Sequence, residues 1–207
     1  MYLKTAPVLA SPHKDFTARV GWECPSNIAL VKYWGKRQGQ FPLNPSVSFV
    51  LQQARTLLSM EFKVNPALKM PQLEYYFEGK QSSLFRNRFL NYLQHISQYM
   101  PFINQLELTI STRNTFPHSA GIASSASSFG ALALAVCEAE NLLFKSLDNE
   151  KSFFEKASFL ARLGSGSAAR SVLGGYSMWG EAFFPNDASD EAAISLADIV
   201  HPVFNKY

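Results

Sequence analysis

One stretch of the sequence, Asn114–Gly130, combines a proline, two glycines and five serines and runs directly into an Ala/Leu-rich segment. The first N–H groups of a helix have no internal partners, and the helix dipole favours negative charge there. Small side chains over Ala123–Ala126 would let phosphate oxygens approach the main chain, while the hydroxyls could donate hydrogen bonds or ligate a metal. The stretch therefore predicts a phosphate-binding loop, with an ordinary serine-capped loop as the alternative.

The composition fits one globular domain with its own core, since the chain has 207 residues and 47% hydrophobic content. The net charge of +3 is small and spread out, which weakly favours anionic ligands and argues against a nucleic-acid surface. Cys24 and Cys137 form no CxxC or metal-ligand spacing, so we interpret them as free thiols. Met1–Ala10 lacks the apolar core of a signal peptide, and the longest apolar run, near Ala131–Val136, is too short to span a bilayer. We expect a cytoplasmic protein that binds neither nucleic acid nor membrane.

Periodicity predicts strands first and then a mixture of helices and strands. Strands are expected over Phe16–Cys24, Ser46–Leu51, Thr56–Val64, Leu73–Glu78, Leu106–Ser111 and Gly174–Trp179, with an extended apolar segment over Ile28–Tyr33 and a strand-like start at His201. Turns or loops are expected at Pro25–Asn27, Gln38–Pro45, Glu78–Lys80 and Pro185–Asp190. Helices are expected over Ser83–Tyr99, Ser125–Glu140 (closing at Asn141), Ser152–Leu163 (opening at Asp148 and Asn149) and Glu191–Asp198. This order suggests an α+β fold in two layers rather than a regular βαβ alternation.

A second glycine cluster, Gly164–Ala169, is followed by Arg170 and formally matches the dinucleotide fingerprint G-x-G-x-x-A. That fingerprint requires a preceding strand, whereas a helix is expected here, and the acidic residue expected about 20 residues further on is missing. We therefore exclude a dinucleotide site, and the Walker A pattern also fails because neither glycine loop is followed by Lys-Ser/Thr. The guanidinium of Arg170, flanked by small residues, could bind a carboxylate or a phosphate; the alternative is an ordinary surface arginine.

A block of three cations and two aromatics occupies Lys32–Arg37. Interleaved basic and aromatic residues can stack nucleic-acid bases, but this block is short and stands alone. We interpret it as a phosphate-binding arm, because Lys32 and Lys36 would share one strand face and Gly35 would allow close approach. A strand end with solvated lysines is the alternative. The four histidines show no metal-binding spacing: His13, His95, His118 and His201.

Three blocks, in this order, resemble a known family. They are Cys24–Arg37 (CPSNIALVKYWGKR), Asn114–Ala126, and Gly164–Ser171 (GSGSAARS) followed by Gly174-Gly175-Tyr176. From about Gly21 to Tyr207 the chain resembles the diphosphomevalonate decarboxylases of the GHMP kinase superfamily. The first and third blocks are specific to that enzyme, and the serine loop is the phosphate loop of the wider superfamily. The resemblance implies an α+β, ribosomal-protein-like N-terminal domain spanning residues 1–207, with the C-terminal ferredoxin-like half mostly absent.

The activity implied by the resemblance is phosphorylation of the C3 hydroxyl of mevalonate 5-diphosphate by ATP with Mg²⁺. Loss of that phosphate and of carbon dioxide then gives isopentenyl diphosphate. Mevalonate 3-kinase and phosphomevalonate decarboxylase stay open as sibling activities, and the presence of Arg170 favours a decarboxylase. The family's catalytic aspartate lies in a C-terminal half, and His201-Pro-Val-Phe resembles the strand that leads into it. We expect either the front part of a longer enzyme, which the family implies could be a homodimer, or a shortened, non-catalytic binding domain.

The resemblance also implies roles for individual residues. The catalytic group would be Lys32, Ser125 and Arg170. The substrate would be bound by Asn27, Tyr33, Trp34, Gly35, Lys36, Arg88, Ser165, Gly166, Ser167, Ala168, Ala169 and Arg170. ATP would be bound by Gly121, Ala123, Ser124 and Ser125, and Mg²⁺ by Ser124 and Ser125. Arg88 is assigned by its spacing from Gly79 alone, and the family usually has cysteine at Ala169 and threonine at His118.

Overall fold

The computed structural model describes residues 15–117, 121–147, 149–201 and 203. The strands are β1 (Thr17–Val31), β2 (Lys36–Arg37), β3 (Phe41–Pro42), β4 (Ser46–Val64), β5 (Gln72–Phe77), β6 (Lys80–Gln81), β7 (Leu106–Asn114), β8 (Tyr176–Trp179) and β9 (Ile194–Ser195). The helices are α1 (Ser83–Ile96), α2 (Ser124–Phe144), α3 (Glu150–Gly164) and α4 (Ala168–Ser171), with 3₁₀ turns at Gln38–Gln40 and Pro101–Gln105. The interpretations of His13, His118, Asp148 and most of the segment that follows His201 lie outside the described residues.

A seven-stranded sheet is built around β4, the longest strand. β1 pairs with β4 along most of its length. On the opposite edge of β4, the C-terminal half pairs with β7 and the first four residues, Ser46–Phe49, pair with β8. The strand order of the sheet is therefore β6-β5-β7-β4-β8-β9, with β1 on the other edge of β4. β2 and β3 form a separate two-stranded sheet. One continuous strand therefore supports both parts of the sheet.

The helices cover one face of the sheet, which confirms the two-layer α+β fold. Alternate residues of β4 point into the core, among them Leu58, Met60 and Phe62. The Phe129 ring of α2 lies 5.6 Å from the Phe89 ring of α1, and the Trp22 ring stacks 5.4 Å from the Phe153 ring of α3. These ring contacts join the helices to one another and to the sheet in a single core.

The helix α2 runs through the middle of this core. The helix has 21 residues and is therefore longer than the predicted helix Ser125–Glu140. It continues past the predicted cap Asn141 and ends at Phe144, followed by Lys145 in the left-handed conformation. By length and composition this helix could cross a membrane, but 72% of its apolar window is buried inside the fold, as in the core helix of a globular domain. Gly130 lets α2 lie close to β1, because a Cβ there would be 2.4 Å from the Cys24 Sγ.

Several predicted elements are confirmed: α1, β5, β7, α3 with its Asn149 cap, β8, and the turn at Glu78–Lys80. Three others are wrong. The turn predicted at Pro25–Asn27 lies inside β1, and the break predicted after Leu51 lies inside β4, because Pro25 pairs with Arg55 while Ser26 pairs with Leu51. A bulge on β4 absorbs the extra residues, Gln52–Ala54, and tolerates the missing N–H of the proline. The helix predicted over Glu191–Asp198 is instead β9 and its flanking turns, since Ile194 and Ser195 pair with β8.

Candidate functional site

The segment between α3 and α4 is packed too tightly for side chains at its two glycines. A Cβ at Gly164 would lie 2.5 Å from the Phe129 ring, and one at Gly166 would lie 3.0 Å from the Tyr33 hydroxyl and 3.1 Å from the Trp179 ring. The backbone then turns into α4, where the Ala168 N–H donates to the Ser165 carbonyl over 2.8 Å. The glycines therefore bring the third sequence block against Tyr33 of the first.

Arg170, in α4, is the most informative group of this site. It is 1% exposed, and its Nε donates to the Ser48 hydroxyl over 2.9 Å while its Nη1 donates to the Ser46 hydroxyl. Among the described residues no carboxylate forms an ion pair with it. Burial lowers the pKa of Arg170 to about 10, so the guanidinium is still charged at neutral pH. A buried cation without a counter-charge is costly and is typical of a group that binds an anion.

The Tyr33 ring lies close to two cations of the site. The Lys36 Nζ is 5.7 Å and the Arg170 Cζ 6.0 Å from the centroid of its ring, and the ring meets the Trp179 indole edge-on at 5.1 Å. The Lys36 ammonium donates to the Gln40 side chain over 2.7 Å. Burial, with a further contribution from the charge of Arg162, lowers the pKa of Lys36. The structure thus brings together Tyr33, Lys36 and Arg170, which come from two separate sequence blocks.

The rest of the first block is arranged differently from the prediction. β1 ends at Val31, so Lys32 lies in a loop and the predicted strand face shared by Lys32 and Lys36 is wrong. The Asn44 side chain shapes this loop by accepting from the Trp34 N–H over 2.7 Å and donating to the Lys32 carbonyl over 3.1 Å. Gly35 has φ 80°, a conformation that favours glycine. The Lys32 and Trp34 side chains are exposed, the indole by 76%.

Other residues assigned to the substrate are used within the protein. Asn27 is 3% exposed, and its amide nitrogen donates to the Ser167 carbonyl over 3.0 Å and to the Ser171 hydroxyl over 2.7 Å. The Ser165 and Ser167 hydroxyls are 3.2 Å apart. Ala168 and Ala169 are fully buried, so their methyl groups pack in the interior and leave only main-chain atoms for a ligand.

A second part of the site is formed by the start of α2. The N-cap is Ala123, in the left-handed conformation with φ 53°, and it provides no side-chain acceptor for the first-turn N–H groups. The serine-capped alternative is therefore wrong. Gly121 also has a positive φ, 75°, which lets the loop turn into the helix. Free N–H groups and small side chains at a helix start suit phosphate oxygens.

A small cavity of about 50 Å³ lies beside this helix start. Its polar wall contains Arg88, Asn114, Ser124, Ser125 and Ser128, and its apolar wall contains Tyr75, Phe77, Phe85, Phe89 and Phe129. Arg88 therefore lies with the predicted ATP residues rather than with Tyr33 and Arg170. The spacing of Arg88 from Gly79 could not indicate which of the two parts of the site Arg88 would belong to.

Two adjacent residues of β1 connect the two parts of the site. The Ser26 hydroxyl donates over 3.4 Å to the Ala123 carbonyl and to the Ser127 hydroxyl in the first turn of α2. Asn27, the next residue, donates to α4 and the residue before it. Thr56 completes the support under α2, with its hydroxyl 2.7 Å from that of Ser127. The phosphate loop and the arginine segment are therefore anchored on the same stretch of strand.

Sequence reasoning missed two residues near Lys36. Arg162, in α3, is 1% exposed and donates through Nη1 to the Gly39 carbonyl over 2.6 Å. Asp190 forms an ion pair with Arg37 and accepts from the Glu181 N–H over 2.8 Å. Neither stands in a motif, and Arg162 occupies an ordinary position in the last turn of an amphipathic helix. The partners of these residues come from distant segments, so no local pattern could reveal them.

Comparison with known proteins points to one family. A family model described as the diphosphomevalonate decarboxylase-like N-terminal domain matches residues 24–190. The diphosphomevalonate decarboxylase of Eremothecium gossypii is 36% identical over 191 residues, which cover 86% of this chain and 45% of that protein. The mevalonate diphosphate decarboxylase from Enterococcus faecalis, in a structure on its mevalonate diphosphate mediated ATP binding mechanism, is similar at TM-score 0.65 and 28% identity over 86% of this chain and 50% of that one.

A further solved structure, MDDEF in complex with MVAPP, AMPPCP and magnesium, is similar to the same extent, with TM-score 0.65, 28% identity, and 86% and 50% of the two chains covered. The chain thus spans about half the length of the relatives that it matches.

Proposed function

Because the chain belongs to the diphosphomevalonate decarboxylase-like family through that family's N-terminal domain, we propose that it binds mevalonate 5-diphosphate and ATP and serves the ATP-dependent decarboxylation of mevalonate 5-diphosphate. Its similarity to diphosphomevalonate decarboxylases, and to a structure in complex with MVAPP, AMPPCP and magnesium, supports the substrate, the nucleotide and the magnesium ion. The observation on this chain that carries the proposal is the buried guanidinium of Arg170, which has no carboxylate partner among the described residues and lies near Tyr33.

The two cations around Tyr33 suit a substrate with two anionic ends. Arg170 presents a planar fork that matches a carboxylate, and Ser46 and Ser48 fix its orientation from behind. Lys36 presents a compact ammonium 5.7 Å from the centroid of the same ring, and a diphosphate would replace its contact with Gln40. Binding of the substrate would compensate both charges at once.

The start of α2 suits the phosphates of ATP. Its first turn has no side-chain cap, and Ser124 and Ser125 line the cavity that Arg88 also lines. No group of three or more His, Cys, Asp or Glu side chains in the described part of the chain could hold a metal. Serine oxygens with phosphate oxygens nevertheless fit Mg²⁺, which is usually bound by few protein groups. When bound, Mg²⁺ would supply charge neutralisation at the phosphates.

The remaining roles follow from position. Phosphoryl transfer depends largely on holding two anionic substrates in the right orientation. Ser26 and Asn27 hold the two loops on one strand, so the distance between the ATP phosphates and the substrate is set by the protein rather than by the ligands. Ser125 would act at the phosphate side, Arg170 at the carboxylate, and Lys32 at the exposed rim of the site.

Substitution of Arg170 by methionine tests the proposal. Removing one partner of a buried charge pair costs about 2–5 kcal/mol, so affinity for mevalonate 5-diphosphate in calorimetric titration should fall at least roughly 30-fold. The control is Arg19→Met, which removes an exposed arginine paired with Glu61 at the start of β1 and should leave affinity unchanged.

A coupled assay of the wild-type chain for ADP and carbon dioxide then separates the related activities. Release of both products supports a decarboxylase, and ADP without carbon dioxide supports a 3-kinase. Binding without ADP is the result expected both of a binding domain and of the front part of a longer enzyme, because the family's catalytic aspartate lies in a C-terminal half. Failure of the wild-type chain to bind mevalonate 5-diphosphate, or equal binding by Arg170→Met, overturns the proposal.

A further inference from the structure

We propose that Arg162, together with Asp190, is a positioning residue that holds the segment 36–42, here called the Lys36 hairpin, in place so that Lys36 faces the diphosphate site. The consequence for ligand binding rests on the proposed function. The contacts by which Arg162 and Asp190 hold the Lys36 hairpin are here called the latch. The latch rests only on contacts of the described residues.

The Lys36 hairpin cannot hold its own position. β2 and β3 are two residues each, form a sheet of their own, and pair only as Lys36 with Pro42 and Arg37 with Phe41. Isolated hairpins much longer than this are only marginally stable in water. Residues 36–40 are exposed, and the turn places both Gly39 and Gln40 at positive φ. Contacts from outside the hairpin must therefore set where the Lys36 ammonium lies.

Arg162 supplies the main contacts from α3. Its Nη1 donates to the Gly39 carbonyl over 2.6 Å at the tip of the hairpin, and its Nε donates to the Glu191 carbonyl over 3.0 Å. The guanidinium carbon lies 4.6 Å from the centroid of the Phe41 ring in β3 and 4.8 Å from that of Phe159 in α3. A single planar group thus ties the hairpin, the helix and the 191 segment together.

The geometry requires arginine at this position. A guanidinium can donate in its plane to two carbonyls while its faces lie against aromatic rings, whereas an ammonium is a point charge without a stacking face. The residue next to Gly39 is Gln40, whose side chain accepts from the Lys36 ammonium over 2.7 Å. Fixing the Gly39 carbonyl therefore fixes the backbone that carries the partner of Lys36.

Asp190 holds the same hairpin through Arg37. Its Oδ2 pairs with the Arg37 guanidinium, next in sequence to Lys36, while its Oδ1 accepts from the Glu181 N–H over 2.8 Å. Its own carbonyl accepts from the Trp179 indole N–H over 2.8 Å, and that indole contacts Tyr33. The latch thus extends to Lys36 and to Tyr33, the two residues proposed to lie next to the diphosphate.

The first test measures the latch without any ligand. In Arg162→Met, which keeps an apolar side chain between the rings, backbone order parameters of residues 36–41 from ¹⁵N relaxation should fall from about 0.85 to below about 0.6. Asp190→Asn should lower them to a smaller degree. The control is the double variant Glu140→Gln/Lys156→Met, which removes the other buried charge of α3, where the Lys156 Nζ lies 2.6 Å from the Glu140 carboxylate. It should leave the hairpin unchanged.

The second test measures the consequence by titration with mevalonate 5-diphosphate. Arg162→Met should weaken binding at least about tenfold, while affinity for AMPPCP with magnesium changes less than about twofold. Arg162→Lys should resemble Arg162→Met, because it keeps the charge and loses the fork. In a Lys36→Met background, Arg162→Met should cause no further loss, since the two residues then act through one contact.

Unchanged order parameters in Arg162→Met, or an equal loss of order in the Glu140/Lys156 control, overturn the latch. If Arg162→Lys binds mevalonate 5-diphosphate with wild-type affinity, or if Lys36→Met and Arg162→Met have independent effects, then Arg162 does not act by positioning Lys36. If the wild-type chain does not bind mevalonate 5-diphosphate, the proposed function fails, and the order parameters still decide the role of Arg162.

Discussion

At the scale of single residues, buried polar side chains form hydrogen bonds that hold the main chain of the site in place. The Ser158 hydroxyl donates to the Ala169 carbonyl and accepts from the Ala193 N–H, both over 2.8 Å. The Ser177 hydroxyl donates to the Arg170 carbonyl over 3.3 Å. Each such bond satisfies a group that would be costly to bury alone. The main chain of the short helix α4 is therefore held by side chains of both α3 and β8.

The two thiols provide a residue-scale prediction. Cys24 and Cys137 are fully buried, and burial raises the pKa of both thiols well above the usual range. Because the thiolate is the reactive form, neither should react with Ellman's reagent in native buffer at pH 8, and both should react once the chain is unfolded in guanidinium chloride. Rapid reaction of one thiol in native buffer would contradict the buried arrangement.

Local motifs in the sequence predicted several residues that lie close together in the structure. Tyr33, Lys36 and Arg170 were assigned from their blocks, and the structure brings them together. It could not predict Arg162, because the Gly39 carbonyl that it binds is 123 residues away and the sequence does not encode carbonyl positions. An assignment based on spacing alone, such as that of Arg88, could name a residue but could not predict which other residues would surround it.

Close contact between α2 and β1 governs stability at the scale of elements. Gly130→Ala would place a Cβ 2.4 Å from the Cys24 Sγ, and overpacking of this kind costs about 1–3 kcal/mol. In a Cys24→Ala background the sulfur is gone, so the same change should be neutral or stabilising, by up to the roughly 1 kcal/mol by which alanine exceeds glycine in a helix. Urea unfolding of the four proteins of the cycle measures this coupling. Additive effects of the two substitutions would contradict the contact.

Element boundaries were predicted well where the sequence pattern and the pairing agree. α3 has an apolar face, an asparagine cap and a glycine at its end, and all three agree with the structure. The continuity of β1 and β4 could not be predicted, because proline is normally a turn signal and Gln52–Ala54 interrupts the apolar alternation of the strand. A contact distant in sequence supports the bulge, since the Thr115 hydroxyl donates to the Gln53 carbonyl, 62 residues away. The Arg55 Nε adds a local bond to the Gln52 carbonyl.

The described residues share one large core and one small cluster at the scale of the whole molecule. The large core contains residues of β1, β4, β7 and the three long helices, whereas the small cluster is formed by Ala169, Trp179 and Ala193. Asn27 and Ser158 connect the two, through the bonds to Ser167, Ser171 and Ala169. The small cluster is therefore not independent of the rest.

This connection predicts cooperative thermal unfolding. In the variant Trp22→Phe/Trp34→Phe, the fluorescence of Trp179 reports on the small cluster alone, and far-UV circular dichroism reports on the helices. The two transitions should have the same midpoint within about 2 °C, as expected for two-state unfolding. A fluorescence transition at clearly lower temperature would show that the Arg170 segment unfolds separately.

The bulge opposite Pro25 and Ser26 has a consequence for how this gene can change over time. Cys24, Ser26 and Asn27 reach three different partners within four consecutive codons, namely the Ser171 carbonyl, the start of α2 and the Ser167 carbonyl. Insertion or deletion of one codon here would move the side chains that follow it to the opposite face of the strand and break their contacts with both parts of the site. The turn at Glu78-Gly79 has no such partners around its glycine, where an added Cβ meets nothing within 4 Å. Changes in length among descendants of this gene should accumulate at that turn and be absent from the strand.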